Sequence, residues 1–141
     1  MLQVLLVSCC MITNRKCSIS ENDAVFRIVD AANEHDLFFG MYKQYDWNLI
    51  KLFSLEGNDT IFHQINGRTF SNNQDSLLFV YFNSRVETVY VSLNGSDIDT
   101  LRLSYDVHMA SSCCEEFSYV NPLSYNLRGL ITNGNFYTCY K

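Results

Sequence analysis

A period of two dominates the chain, the pattern of strands with one buried face. Residues 100–107 carry it most cleanly, with Leu101, Leu103, Tyr105 and Val107 on one side and Arg102, Ser104 and Asp106 on the other. Residues 87–93 place Val89, Val91 and Leu93 on one face and Tyr90 and Ser92 on the opposite one. Residues 48–55 alternate around Ile50 and Leu52, residues 24–29 set Val25, Ile28 and Val29 among polar neighbours, and residues 59–65 form a further strand. The solid apolar run over 77–82 has the composition of a strand covered on both faces. Shorter strands are expected over 117–120 and 136–140. Turn residues separate these runs: Glu56-Gly57-Asn58-Asp59, Asn94-Gly95-Ser96-Asp97, Asn121-Pro122 and Thr132-Asn133-Gly134-Asn135. Asn66-Gly67 adds a type I′ signal, because both central residues of that turn need φ > 0. The one helical stretch, residues 30–36, is too short to be a main element. This rhythm predicts an all-β fold, an antiparallel immunoglobulin-like β-sandwich of roughly seven to nine strands over residues 23–141.

The N-terminus breaks the rhythm. Residues 1–12 are apolar apart from Gln3 and Ser8, and Asn14-Arg15-Lys16 follow. Leu6-Val7-Ser8-Cys9 reads as a lipobox: a Leu, a branched residue, a small residue beside the scissile bond, and the thiol that receives a diacylglycerol. Residues 1–8 are then a signal-like segment, Cys9 is the lipidation site, and residues 9–22 hold the anchor cysteine and a polar tether. The competing reading is a buried first strand over residues 3–7. The lipobox reading implies a protein held at a membrane by its lipid, anchored in the outer membrane of a cell envelope.

Charge narrows the choice of partners. The 141 residues carry ten Lys and Arg against fifteen Asp and Glu, a net charge of −5. That balance argues against a nucleic-acid partner, which wants clustered positive charge. An envelope protein or a glycan remains as partner, and Tyr42, Tyr45 and Trp47 are the candidate contact residues. Tyr and Trp on a loop supply binding area at low entropic cost. The plainer role for the same residues is to plug the end of the sandwich.

Catalytic signatures are scarce. His35, His63 and His108 lack nearby partners at triad spacing, and no catalytic residue, metal site or cofactor is expected. The six cysteines fall at 9, 10, 17, 113, 114 and 139. In an oxidising compartment a disulfide from Cys139 to Cys113 or Cys114 is expected. A metal or redox centre combining His108 with Cys113, Cys114 and Cys139 is the weaker alternative, because zinc sites space their cysteines two to four residues apart. A secreted, disulfide-stapled domain is the other. Asn94-Gly95-Ser96-Asp97-Ile98-Asp99 offers oxygens at alternate positions, but it lacks the order and closing Glu of a calcium loop and is expected to be a hairpin turn with solvated carboxylates.

Several of these segments together carry a family likeness. Leu6-Val7-Ser8-Cys9, Asp36-Leu37-Phe38-Phe39-Gly40, Ser54-Leu55-Glu56-Gly57-Asn58-Asp59-Thr60 and Asp97-Ile98-Asp99-Thr100-Leu101, followed by Tyr105 and Cys113-Cys114, make the chain resemble small lipoproteins of the Bacteroidetes type. In that group an Asp-Thr-Leu strand leads to a vicinal cysteine pair and a final aromatic strand. The resemblance implies an envelope-anchored β-sandwich.

Overall fold

A computed structural model of the chain describes residues 18–69, 76–108 and 116–141. The described residues form β1 (Ser18–Glu21), β2 (Asp23–Val29), β3 (Lys51–Glu56), β4 (Asp59–Thr69), β5 (Ser76–Tyr81), β6 (Thr88–Ser92), β7 (Ile98–His108), β8 (Glu116–Tyr125), β9 (Arg128–Gly129), β10 (Ile131–Asn133) and β11 (Phe136–Tyr140). All belong to one sheet, ordered β1-β8-β7-β6-β3-β4-β5-β2-β11-β10, with β9 paired to β8. The all-β expectation holds. The count is eleven strands among the described residues rather than seven to nine, and the pairing is mixed rather than antiparallel. β1 runs parallel to β8, and β11 runs parallel to β2. In place of the expected immunoglobulin-like sandwich, the sheet curls nearly into a barrel.

Two strands make the curl. Residues 59–63 of β4 pair with β3, whereas residues 64–69 pair with β5, so β4 passes from one half of the sheet to the other. On the opposite side β1 and β2 are separated by Asn22 alone, whose carbonyl accepts a hydrogen bond from Phe82 N–H at 2.7 Å. Residues 18–29 are thus nearly one continuous strand. It begins beside β8 at one end of the strand order and ends between β5 and β11 at the other. Ser18–Glu21 fall within the stretch expected as a tether and are part of the sheet.

The period-two pattern points its apolar side inward. Ala24, Phe26 and Ile28 of β2, Leu52 of β3, Leu78 and Val80 of β5, Val89 and Val91 of β6, and Leu101 and Leu103 of β7 join one core cluster. Phe82 and Val89 are fully covered. Each of the Phe, Ile, Leu and Val side chains contributes about 1.5–3 kcal/mol by leaving water. The void inside measures about 20 Å³, far below the roughly 300 Å³ of a small-molecule pocket, so the interior is a core and not a ligand cavity.

Four local expectations are corrected. The run at 77–82 is covered on one face only, because Tyr81 is 45% exposed while Leu78, Val80 and Phe82 are buried. Val107, expected inward, is half exposed, since the inward course of β7 ends near Tyr105. Asn121-Pro122 does not break the chain. β8 runs through it, and the register shift opposite Arg102 and Leu103 accommodates a residue with no N–H to donate. Asn66-Gly67 is not a turn but lies within β4, paired with Phe79 and Leu78.

A true two-residue turn joins β8 to β9, with Asn126 at φ 48° and Leu127 at φ 66° between the paired Tyr125 and Arg128. Leu127 is 89% exposed, so no packing offsets its left-handed backbone. Leu127→Gly is therefore expected to raise stability by about 1 kcal/mol, the relief of the left-handed penalty less the entropy glycine adds to the unfolded chain. A higher urea midpoint at unchanged slope would show it.

Candidate functional site

The β6–β7 turn, the β8–β9 turn, the chain after β11 and the loop between β2 and β3 meet around two carboxylates. Asp99, near the start of β7, is 4% exposed. Beyond β11, Lys141 continues the pairing with β2: its N–H donates to Val29 O at 2.9 Å, and its carbonyl accepts from Ala31 N–H at 3.0 Å. That backbone placement aims Nζ at Asp99, 2.8 Å from Oδ1 and 2.9 Å from Oδ2, and at Asp97 Oδ1, 3.0 Å away. Tyr125 OH donates to Asp99 Oδ2 at 2.5 Å, and Asn126 Nδ2 donates to Asp99 Oδ1 at 2.7 Å. Tyr45 OH, from the β2–β3 loop, donates to Asp97 Oδ2 at 2.9 Å.

Local structure fixes each participant. Asn94 Oδ1 accepts from the N–H groups of Ser96 and Asp97, and Leu93 N–H donates to Asp97 O, so the β6–β7 hairpin presents Asp97. Asn126 is held on both sides by Thr100, donating its N–H to Thr100 O and accepting from Thr100 N–H, each at 2.8 Å. The left-handed backbone of the β8–β9 turn therefore brings Asn126 to Asp99.

These contacts set the protonation states. The Lys141 hydrogen bond holds Asp97 below the ordinary carboxylate range, against the effect of partial burial. Burial pulls Lys141 down, but its bonds to Asp99 and Asp97 outweigh that and leave its pKa raised. Burial, then the bond to Asp99, pushes Tyr125 far up, and burial with the Asp97 bond raises Tyr45. At neutral pH the cluster holds one ammonium against the Asp97 carboxylate and Asp99, with two neutral phenols as donors. Cys139, 1% exposed, lies nearby with a free thiol whose pKa is raised by burial and then by Asp99, so it is no ready nucleophile.

The residues expected from sequence are dispersed. Tyr42 stacks on His35 with ring centroids 3.9 Å apart. Tyr45 faces Asp97 and tilts against Phe38. Trp47 opens a short 3-10 turn, Trp47–Leu49, capped by Asp46, and its indole covers Gly67 of β4. The three rings thus serve three separate contacts. Cys9, Cys113 and Cys114 lie outside the described residues, as does the side chain of His108. Among the described residues no three His, Cys, Asp or Glu side chains are grouped to hold a metal ion.

Sequence reading passed over Lys141 and took Asp99 for a solvated turn carboxylate, whereas it is 4% exposed within β7, although a signal was present. Asp99 shares the phase of inward Leu101 and Leu103, and Lys141 shares the phase of buried Cys139. A charged residue at an inward position calls for a partner.

His63 marks the point where β4 changes partner. It is 6% exposed, its Nδ1 accepts from Asn83 N–H at 3.0 Å, and its Nε2 lies 3.1 Å from the Ser54 hydroxyl. With Nδ1 accepting, Nε2 carries the proton and donates to Ser54. Burial lowers its pKa below 6.5, opposed by Glu56. The folded protein then binds fewer protons than the unfolded chain just below pH 6.5, so stability falls as pH drops from there through the depressed value. His63→Gln should flatten that part of a Tm-against-pH curve, and an unchanged slope would count against it.

The outer face of β4, β3 and β6 carries an aromatic row. Phe62, Phe53 and Tyr90 stand opposite one another, with centroids 6.2 Å and 5.4 Å apart. An open groove of about 520 Å³ runs beside it, lined by Leu49, Phe62 and Ile98 among apolar residues and by Lys51, Thr60 and Asn94 among polar ones. Leu49, Phe62 and Ile98 are more than half exposed. No family model, no curated protein and no solved structure matches the chain.

Proposed function

We propose that the protein is an envelope lipoprotein, held at the outer membrane through a lipid on Cys9, whose β-barrel body is a non-catalytic binding or structural module. The non-catalytic part is carried by one observation: the charges at the barrel end are spent on one another. Lys141 is shared between Asp97 and Asp99, the phenols donate to the same carboxylates, and the neighbouring thiol is buried. Turnover of an external substrate needs a free acid–base group or an accessible, depressed thiol, and here Lys141, Asp97 and the phenols are bonded within the cluster while Cys139 is buried. The anchor rests on Leu6-Val7-Ser8-Cys9, and the apolar groove on β4, β3 and β6 is the contact face for an envelope protein or glycan.

Expression of the full chain in a bacterial host fed a palmitate analogue tests the anchor. Wild type should be labelled and sediment with membranes, and Cys9→Ala should lose both properties. A label that persists in Cys9→Ala, or a wild-type protein that is never labelled, would overturn the reading.

A further inference from the structure

Lys141 and Asp99 meet as an amine and a carboxyl whose surroundings are arranged like a small reaction site. Nζ lies 2.8 and 2.9 Å from the two Asp99 oxygens, which brings it near the range of about 3–3.5 Å from which a nitrogen attacks the carbon between them. Each of those oxygens also receives a fixed donor, Oδ2 from Tyr125 OH and Oδ1 from Asn126 Nδ2, the kind of preorganised donors that stabilise a developing oxyanion. A second carboxylate, Asp97, stands 3.0 Å from the same Nζ and can accept its proton. Asp99 and Tyr125 are nearly solvent-free, at 4% and 1% exposure, so little water competes at the carbon.

We propose that Lys141 Nζ and Asp99 Cγ condense to an intramolecular isopeptide bond. Asp97 carries a proton from the ammonium to an Asp99 oxygen, leaving a neutral amine beside a neutral acid. Rotation about the Asp99 Cβ–Cγ bond turns the carbonyl carbon toward the nitrogen lone pair, and the Nζ–Cγ bond forms. The oxygen that becomes negative is held by the Tyr125 or Asn126 donor. Asp97 then moves a second proton from nitrogen to the protonated oxygen, the C–O bond breaks, and water leaves. Ammonium and carboxylate become amide and water, with no electron transferred and no further reactant.

Two terms favour the product. Holding the partners in contact supplies an effective concentration of about 10⁵ M or more in well-oriented cases. The amide also removes a partly buried charge pair whose desolvation is costly. The bond would join Lys141, just beyond β11, to the start of β7, linking the two halves of the sheet. A covalent tie there suits a module exposed to proteases or mechanical load, whether or not Cys9 carries a lipid.

Mass spectrometry of the full chain, reduced and incubated while folded, decides the matter. Wild type should be lighter by one water than its uncrosslinked sequence, and digestion should yield a branched peptide joining Lys141 to the segment containing Asp99. Lys141→Arg, which keeps the positive charge, should show the full mass. Asp97→Asn should retain the Lys141–Asp99 pair yet form the bond much more slowly. Asp99→Asn should reach the same amide by losing ammonia instead of water. A folded wild type that keeps its full mass means an ion pair only and overturns the proposal, as does a water loss that persists in Lys141→Arg.

Discussion

Replacing Asp99 with Ala is expected to lower the unfolding free energy by about 3–5 kcal/mol, the range found when one member of a buried charge pair is removed. The carboxylate is 4% exposed and takes hydrogen bonds from Lys141, Tyr125 and Asn126. Without it, the Tyr125 hydroxyl is left inside the barrel with no acceptor, which alone costs about 1–3 kcal/mol. Lys141 keeps only Asp97, whose side chain is 35% exposed. That contrast supplies the control. Asp97→Ala removes a solvent-screened partner and should cost about 1 kcal/mol or less. Urea denaturation of the two variants checks the difference, and equal losses would show that the cluster is not organised around Asp99. The pH dependence has a definite sign at each end. Asp97, with its pKa depressed, contributes stability above the ordinary carboxylate value of 3.8 that is lost as pH falls through its lower folded value. In the chain whose Lys141 and Asp99 are not condensed, Lys141, with its pKa raised, contributes stability below 10.5 that is lost as pH climbs through its higher folded value. Between those limits the ion-paired cluster contributes a constant amount.

The elements legible from sequence were those whose burial is one-sided. Leu101 and Leu103 alternate with Arg102 and Ser104 because β7 has the core on one face and water on the other, and period two records that directly. What stayed hidden depended on partners distant in sequence. The parallel pairs β1–β8 and β2–β11 leave no local mark, since the residues of a strand do not encode the direction of its neighbour. The change of partner within β4 is equally silent: His63 faces Leu52 of β3, and the next residue, Gln64, faces Tyr81 of β5, with no turn residue between them. The polar cluster was half legible. Asp99 and Lys141 sit at inward phases, which marks each as needing a partner, yet 42 residues separate them and only the return of β11 beside β2 brings them together. Tyr45 and Trp47 were noticed for their residue type, and their actual contacts with Asp97 and Gly67 follow from the path of the β2–β3 loop.

Gly67 shows how a strong local signal can be read in the wrong register, and it yields the second large effect. Asn-Gly is favoured in tight turns because glycine accepts positive φ, but here Gly67 sits in an extended strand opposite Leu78. Its missing side chain makes room for a ring. A Cβ at this position would lie 2.5 Å from Trp47 Cδ2, 2.7 Å from Cε2 and 2.8 Å from Cγ, closer than non-bonded carbons approach. Gly67→Ala is therefore expected to lift the indole off β4 and cost about 1–3 kcal/mol, as overpacking does. Trp47 is the single tryptophan, so its fluorescence reports the event without interference. Emission should shift to the red and quenching by acrylamide should rise. The decisive comparison is the same substitution made in a Trp47→Leu background. With no indole to collide with, Ala should be better than Gly within a strand by about 0.5–1 kcal/mol, because it surrenders less backbone entropy on folding. The substitution would then change sign with the identity of residue 47. If it destabilised both backgrounds equally, glycine would be required by the backbone of β4 rather than by the ring resting on it.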